Sequence, residues 1–286
     1  MKPKILVIDG NNLTYRAGFT TGPLSYNGKV TGAIFGVLNQ LLTVGKKVMP
    51  DNVVFCWDSR KSERRKVYPK YKEKRRTVEG PSEEVLNIYK QIGDLRRTIL
   101  PQIGITNNFL QAGYEADDLI ASIVHNHSNE YEFMVVSSDD DLLQLLDYCY
   151  IYNPGKKRFI TKQDFKEKYG IHPLQWPDVK KIVGCNSDCV PGIYGVGEIT
   201  AIKFLTGRLP VNHAKYKTIK HDNTELFARN ELLVKLPYPG TKNCEIKENE
   251  FTIKGFLEVC SELGFSKLKS RKNIDDWHTV FGRRMN

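Results

Sequence analysis

Acidic side chains recur at the ends of apolar runs in this sequence. Ile5-Leu6-Val7-Ile8 leads into Asp9, Val53 to Trp57 leads into Asp58, and Phe133 to Ser137 is followed by Asp139 and Asp141. Short, continuously apolar runs of this kind read as buried strands. In an open parallel sheet the carboxyl ends of the strands line one crevice, so carboxylates far apart in sequence converge. Glu115, Asp117 and Asp118 open a segment with helical spacing of Ala116, Leu119, Ile120, Ile123 and Val124. Its first turn can reach the same edge, and Glu115 and Asp118, three apart, share a face. Asp188 arrives from a later region.

So many carboxylates in one cleft repel one another and resist ionisation. Divalent cations remove that conflict, and hard oxygen ligands suit Mg²⁺ or Mn²⁺. Two such ions about 4 Å apart can activate water and stabilise the leaving oxygen of a phosphodiester. Each acidic residue alone has an ordinary explanation: Asp139 to Asp141 as a helix cap, Asp9-Gly10 and Asp58-Ser59 as strand-end turns. Their recurrence at one end of successive strands favours a metal centre.

The elements that must position them alternate. Strands are predicted over Lys4 to Asp9, Val53 to Asp58, Phe133 to Ser137 and Cys149 to Tyr152, with a short one over Ile103 to Phe109. Helices are predicted over Thr31 to Val44, from Pro81 onward, over Glu115 to His125 and over Asp139 to Leu146. This is an α/β pattern, a mostly parallel central sheet with helices on both faces. From about Asp164 the pattern turns helical, with Trp176 to Val183 and Glu198 to Leu205 flanking a Gly-rich connection. The expected organisation is an α/β core over residues 1–163 and a helical region over 164–286 packed on it. Signals after Gly207 are weak, and no triphosphate-binding loop is found.

The chain has 286 residues, 40% hydrophobic and 27% charged, which excludes a disordered polymer. No apolar run approaches the roughly 20 residues of a membrane helix, and the first strand is too short for a signal peptide. A cytoplasmic monomer is expected. Six scattered cysteines do not form a disulfide framework. The net charge is +10, and the segment from Arg60 to Arg76, with ten basic and two acidic residues, carries most of the excess. Such a stretch is a footprint for a polyanion. A solvated helix face is the plainer reading, but Tyr68 and Tyr71 within the run can stack on bases, which favours nucleic acid.

In order along the chain stand Ile8-Asp9-Gly10-Asn11, Phe55-Cys56-Trp57-Asp58, Tyr68-Pro69-Lys70-Tyr71-Lys72-Glu73-Lys74-Arg75, Glu115-Ala116-Asp117-Asp118, Ser138-Asp139-Asp140-Asp141 and Pro191-Gly192-Ile193-Tyr194-Gly195-Val196-Gly197. Each motif is weak alone, but the ordered set resembles the 5′-nuclease, or flap endonuclease, family over residues 4 to 206. The resemblance implies a PIN-like 5′-nuclease fold with a helical arch at about residues 60–90. It implies a helix–hairpin–helix-type DNA clamp at about 175–206, and a two-metal phosphodiesterase acting near the 5′ end of branched or nicked DNA, with RNA–DNA hybrid as a further substrate. By position it makes Asp9, Asp58, Glu115, Asp117 and Asp139 first-metal ligands, with Asp118 assisting, and Asp141 and Asp188 second-site ligands. Lys72 and Arg75 become the catalytic cations of the arch. Arg64 becomes a phosphate contact and Tyr71 a stacking platform. Gly192, Gly195 and Gly197 fall in the clamp, where the family often holds K⁺ on backbone carbonyls.

Two departures stand out. Where the family has Gly-Asp-x-x-Asp-Asn, this chain has Gly184-Cys185-Asn186-Ser187-Asp188-Cys189. Cys185 thus stands at an aspartate ligand position, and a soft thiol suits Mg²⁺ poorly. The second site is expected to be weak or remodelled, with Mn²⁺ favoured. A zinc site built on the two cysteines lacks a His pair to complete it. Ile199 stands where relatives carry Lys. The expected function is a metal-dependent 5′→3′ exonuclease and 5′-flap endonuclease. The alternative is a DNA-structure-binding protein of the same fold with little catalysis.

Overall fold

The computed structural model describes residues 1–75, 80–221 and 223–282, apart from the side chain of Arg75. Six strands form the central sheet: β1 (Lys4–Asp9), β2 (Asn52–Trp57), β3 (Asn108–Leu110), β4 (Glu132–Val136), β5 (Cys149–Asn153) and β6 (Arg158–Ile160). Their order is β3-β2-β1-β4-β5-β6. All neighbours are parallel except the edge pair β5 and β6. From β1 the chain goes first to β2 on one side and later to β4 on the other. The strand order therefore reverses at β1, where a parallel sheet opens a crevice at its carboxyl edge.

The helices that matter below are α1 (Gly10–Thr21), α2 (Gly32–Val48), α3 (Glu83–Asp94), α4 (Ala116–His127), α5 (Trp176–Val183), α6 (Glu198–Leu205), α7 (Thr224–Val234), α8 (Ile253–Glu262) and α9 (Arg271–Phe281). Side chains of a strand alternate between faces. Ile5 and Val7 of β1 join Leu119, Ile120 and Ile123 of α4 in one apolar layer, while Leu6 and Ile8 join Leu13, Val37 and Leu38 in the other. Burial on both faces is why β1 and β2 read as unbroken apolar runs.

The chain beyond Asp164 contributes to both layers. Phe165, Trp176 and Val179 enter the first; Phe256, Val259, Trp277 and Val280 enter the second. Residues 251–281 thus return to the sheet, with Trp277 stacked on Phe251 (5.6 Å between ring centroids). Three local differences from the sequence reading appear. The predicted strand over Ile103 to Phe109 lies later, at Asn108–Leu110. The helix after Asp139 is a tight 3₁₀ turn over Asp140–Leu145, and β6 had no sequence signal. All six cysteines are unbridged. No helix among the described residues is long and apolar enough to cross a membrane.

Candidate active site

The carboxyl edge around β1 gathers the predicted acids. Asp9 ends β1 and caps α1, its Oδ1 accepting from Asn12 N (3.0 Å). Gly10 follows because α1 starts against Trp57; a Cβ there would meet the indole at 2.5 Å. Ser137 Oγ donates to Asp9 Oδ2 (2.9 Å), and Asp139 N donates to Ser137 Oγ (3.1 Å), which ties the β4 end to the β1 end. Asp58 N donates to Asn11 Oδ1 (3.0 Å), and Asp58 Oδ1 accepts from Ala116 N (2.8 Å), which sets Asp117 of α4 beside it. Asn12 Oδ1 accepts from Ser138 N and Ser138 Oγ. Asn12, Ser137 and Ser138 are positioning residues that the sequence reading missed; Asn11 lay within a quoted motif without a role.

These four acids sense one another. Burial, followed by the charge of Asp58, pushes the Asp9 carboxyl up to about 7; Asp139 adds to the rise, and the bonds from Asn12 and Ser137 oppose it. Asp117 is raised well above the usual carboxylate range, by burial first and then by Asp139, Asp9 and Asp58. A group of oxygen donors this short of positive charge is the chemistry a hard divalent cation satisfies. Asp9, Asp58, Asp117 and Asp139 are the acids at this edge on which such an ion would draw.

Arg64 and Asp118 require a correction. Arg64 is 2% exposed and Asp118 is fully buried. The guanidinium grips the carboxylate with two bonds, Nη1 to Oδ2 at 2.6 Å and Nη2 to Oδ1 at 2.7 Å, and its Nε donates to Leu233 O (3.1 Å). Asp118 also accepts from Glu115 N and Tyr238 N. Arg64 is thus a buried strut instead of a phosphate contact, and Asp118 has no oxygen left for a metal. Leu233 and Tyr238 come from the region where the sequence carried weak signals.

Tyr71 also differs from its expected place. It is 2% exposed, so no face is presented to a base. Its hydroxyl lies 3.0 Å from Glu115 Oε2 and 3.2 Å from Asp188 Oδ2 and can donate to one at a time. Lys72 Nζ sits 2.8 Å from Glu115 Oε2 and 3.7 Å from Asp188 Oδ2, while Lys72 N donates to Asp188 O. Burial alone would raise the Glu115 carboxyl; Lys72 and Arg64 outweigh it and hold it below its ordinary value. Glu115 is therefore engaged by a lysine and a phenol. The Arg75 side chain lies outside the described residues.

A second group lies beside the first. Donor atoms of Asp141, Cys185 and Asp188 all come within 4.8 Å of one another. Asp141 N donates to Asp139 Oδ1 (2.8 Å), joining the two groups. Burial, then Asp139, pushes the Asp141 carboxyl up to about 7, against the pull of Lys180. Cys185 Sγ lies 3.0 Å from Ser187 Oγ.

The connection between α5 and α6 holds the three glycines. Gly192 lies where a Cβ would meet Val183 C and O at 2.1 Å, so the chain passes flush against the end of α5. Gly195 takes φ +71°, a conformation that favours glycine. Gly197 caps α6, and its Cβ position is open. Tyr194 and Ile199 are 96% and 72% exposed beside it. Lys215 Nζ donates to Tyr194 O (3.2 Å).

Residues 4–170 match the family described as the 5′-3′ exonuclease N-terminal resolvase-like domain. A 5′-3′ exonuclease of Aquifex aeolicus is 31% identical over 274 residues, covering 94% of this chain and 87% of that one. A DNA polymerase I of Mycobacterium leprae is 37% identical over 216 residues, 71% of this chain but only 23% of that relative. Among solved structures, the bacteriophage T5 flap endonuclease in complex with DNA and metal ions matches with TM-score 0.66 at 20% identity, over 97% of this chain and 99% of that one. That likeness establishes the shared fold. The chain belongs to the 5′-3′ exonuclease family.

Proposed function

We propose that this chain is a divalent-metal-dependent 5′→3′ exonuclease and structure-specific 5′-flap endonuclease. It hydrolyses DNA phosphodiesters in replication or repair by a two-ion mechanism, acting as a cytoplasmic monomer. RNA–DNA hybrid is a secondary substrate. The observation that carries this is the meeting of Asp9, Asp58, Asp117 and Asp139 at one sheet edge, with the Asp9 carboxyl pushed up to about 7 by burial and its neighbours. Family membership and the 5′-3′ exonuclease relative support it.

Asp9, Asp58, Asp117 and Asp139 would hold the first ion, and Asp141 with Asp188 the second. Bound ions supply Lewis acidity toward a phosphoryl oxygen and acidity to a water. The protein's part is position and charge. Asn11, Asn12 and Ser137 fix the three strand ends relative to one another. Lys72, at 2.8 Å from Glu115, can exchange that carboxylate for a phosphoryl oxygen and neutralise the charge that builds there. The hairpin at Gly192 to Gly197 offers backbone N–H groups to a phosphate, which holds duplex without reading sequence. The family's K⁺ would share that hairpin with Lys215, whose ammonium already takes the Tyr194 carbonyl.

The test is a labelled 5′-flap substrate with Mg²⁺, Mn²⁺ or chelator. Asp139→Asn abolishes cleavage and leaves DNA binding measurable. Cleavage by that variant at the normal rate refutes the first-site assignment. Cys185 favours one second reading, a DNA-structure binder with weak catalysis. Tight binding in chelator, with no product under either metal, would establish that reading instead.

A further inference from the structure

The second group of ligands is the place where this chain departs most from a Mg²⁺ site, and the following rests on the function proposed above. Two features oppose a second hard dication there. Asp141, Cys185 and Asp188 present two carboxylates and one soft sulfur, where Mg²⁺ prefers oxygen throughout. An ammonium already stands beside them. Lys180 Nζ lies 3.6 Å from Asp141 Oδ1 and 3.7 Å from Glu198 Oε1, with its side chain 14% exposed.

Lys180 is held there by its surroundings. It projects from α5 between Val179 and Ile182 positions that are buried in or against the core. Trp176, one turn earlier, donates Nε1–H to Asp140 O (2.9 Å), which ties α5 to the loop carrying Asp141. The same indole lies under the ammonium, 5.0 Å from Nζ to ring centroid, a cation–π contact that keeps the charge aimed along the helix face. Asp141 is therefore faced by a fixed cation on one side and by Cys185 and Asp188 on the other.

We propose that Lys180, as a permanent single charge beside Asp141, already supplies part of the positive charge at the second site, so that the second divalent ion of the proposed mechanism binds weakly. The chain then holds one divalent ion tightly, at Asp9, Asp58, Asp117 and Asp139. A dication approaching Asp141 meets the ammonium at short range and one carboxylate fewer than an all-aspartate site offers. Like charges within a few ångströms in a partly buried site repel strongly. Lys180 and Lys72 each lie against one of the two carboxylates, Asp141 and Asp188, at 3.6 and 3.7 Å.

The experiment counts bound Mn²⁺ by electron paramagnetic resonance on the full chain, with the 5′-flap assay run in parallel. The wild type is expected to bind one Mn²⁺ tightly and a second at least tenfold more weakly. Lys180→Met tightens the second ion by at least tenfold. Lys180→Arg retains the single tight ion. Cys185→Asp gains the second ion by the other route, so the idea survives a poorly folding Lys180→Met. Two equally tight ions in the wild type overturn the proposal. So does a second-ion affinity that neither Lys180→Met nor Cys185→Asp changes. Asp139→Asn tests the first site by itself. If it leaves the tight ion in place, the first-site assignment fails, whatever Lys180 does.

Discussion

Replacing Arg64 with Met should weaken the fold far more than it weakens DNA binding. The guanidinium and the Asp118 carboxylate are joined by two bonds of 2.6 and 2.7 Å, with side chains 2% and 0% exposed. Removing one partner of such a pair strands the other charge in the interior, at a cost of about 3–5 kcal/mol. Domains of ordinary stability have roughly 5–15 kcal/mol in all. Arg64→Met keeps most of the side-chain volume, so the loss reports the missing charge and the Leu233 carbonyl contact. Asp118→Asn should cost a similar amount, because Arg64 then lacks its counter-charge. In the double variant Arg64→Met/Asp118→Leu neither member of the pair is left as an unpaired charge, and the loss should fall to about 2 kcal/mol or less. Urea unfolding in chelator, followed by fluorescence of the buried Trp57, Trp176 and Trp277, gives the three differences. DNA affinity is then measured at several salt concentrations where each variant is folded. A variant at Arg64 as stable as the wild type, with weaker DNA binding and a salt slope smaller by about one, would refute this reasoning and make Arg64 a phosphate contact.

The acidic cluster predicts a pH effect whose sign follows from the raised carboxyls. Asp9 and Asp141 stand at about 7 in the fold against 3.8 as the ordinary value, so they stabilise the metal-free chain below about pH 4 and lose that contribution as pH rises through about 7. Thermal unfolding in chelator should therefore show falling stability from pH 5 to pH 8, reversed by Mn²⁺; a chain that grows more stable over that range without metal contradicts the cluster. At pH 8 in chelator, Asp9→Asn should stabilise by about 1–4 kcal/mol, because one buried negative charge is removed. Gly192→Ala should distort the hairpin, since its Cβ would meet Val183 backbone at 2.1 Å, and should lower duplex affinity while leaving tight Mn²⁺ binding intact. Equal duplex affinity by fluorescence anisotropy would remove the hairpin from the interface. Arg229→Ala removes the guanidinium 4.9 Å from the Tyr68 ring and its bond to Pro191 O, and should raise proteolytic cleavage near residue 70; unchanged digestion would show that α7 does not hold the segment around Tyr68.

The parts of this fold that were legible in the sequence are those written in local pattern. Continuous apolar runs at Ile5 to Ile8 and Val53 to Trp57 announce strands covered on both faces, and the acids that end them announce the crevice. Parallel pairing then brings the acids together without any further instruction, because the edge of the sheet is shared. What local pattern does not carry is which cation answers which anion. Arg64 and Asp118 are 54 residues apart, and in sequence Arg64 is one of ten basic residues in a run suited to DNA. Only the packing of α7 and residues 233–238 over the run makes it an interior residue, and those segments carried weak periodicity. The same holds for Tyr71, whose aromatic ring suggested stacking. Its hydroxyl finds Glu115 and Asp188, at separations of 44 and 117 residues, and the second contact depends on the turn between Cys185 and Val190, whose backbones pair antiparallel. Lys180 reads as an ordinary lysine near the end of a helix until Trp176 fixes α5 against the Asp141 loop. A charge census therefore points to a class of partner while leaving the place of individual charges open. Net positive charge acts at long range and survives any pairing, whereas each short-range contact is settled by the last elements to dock.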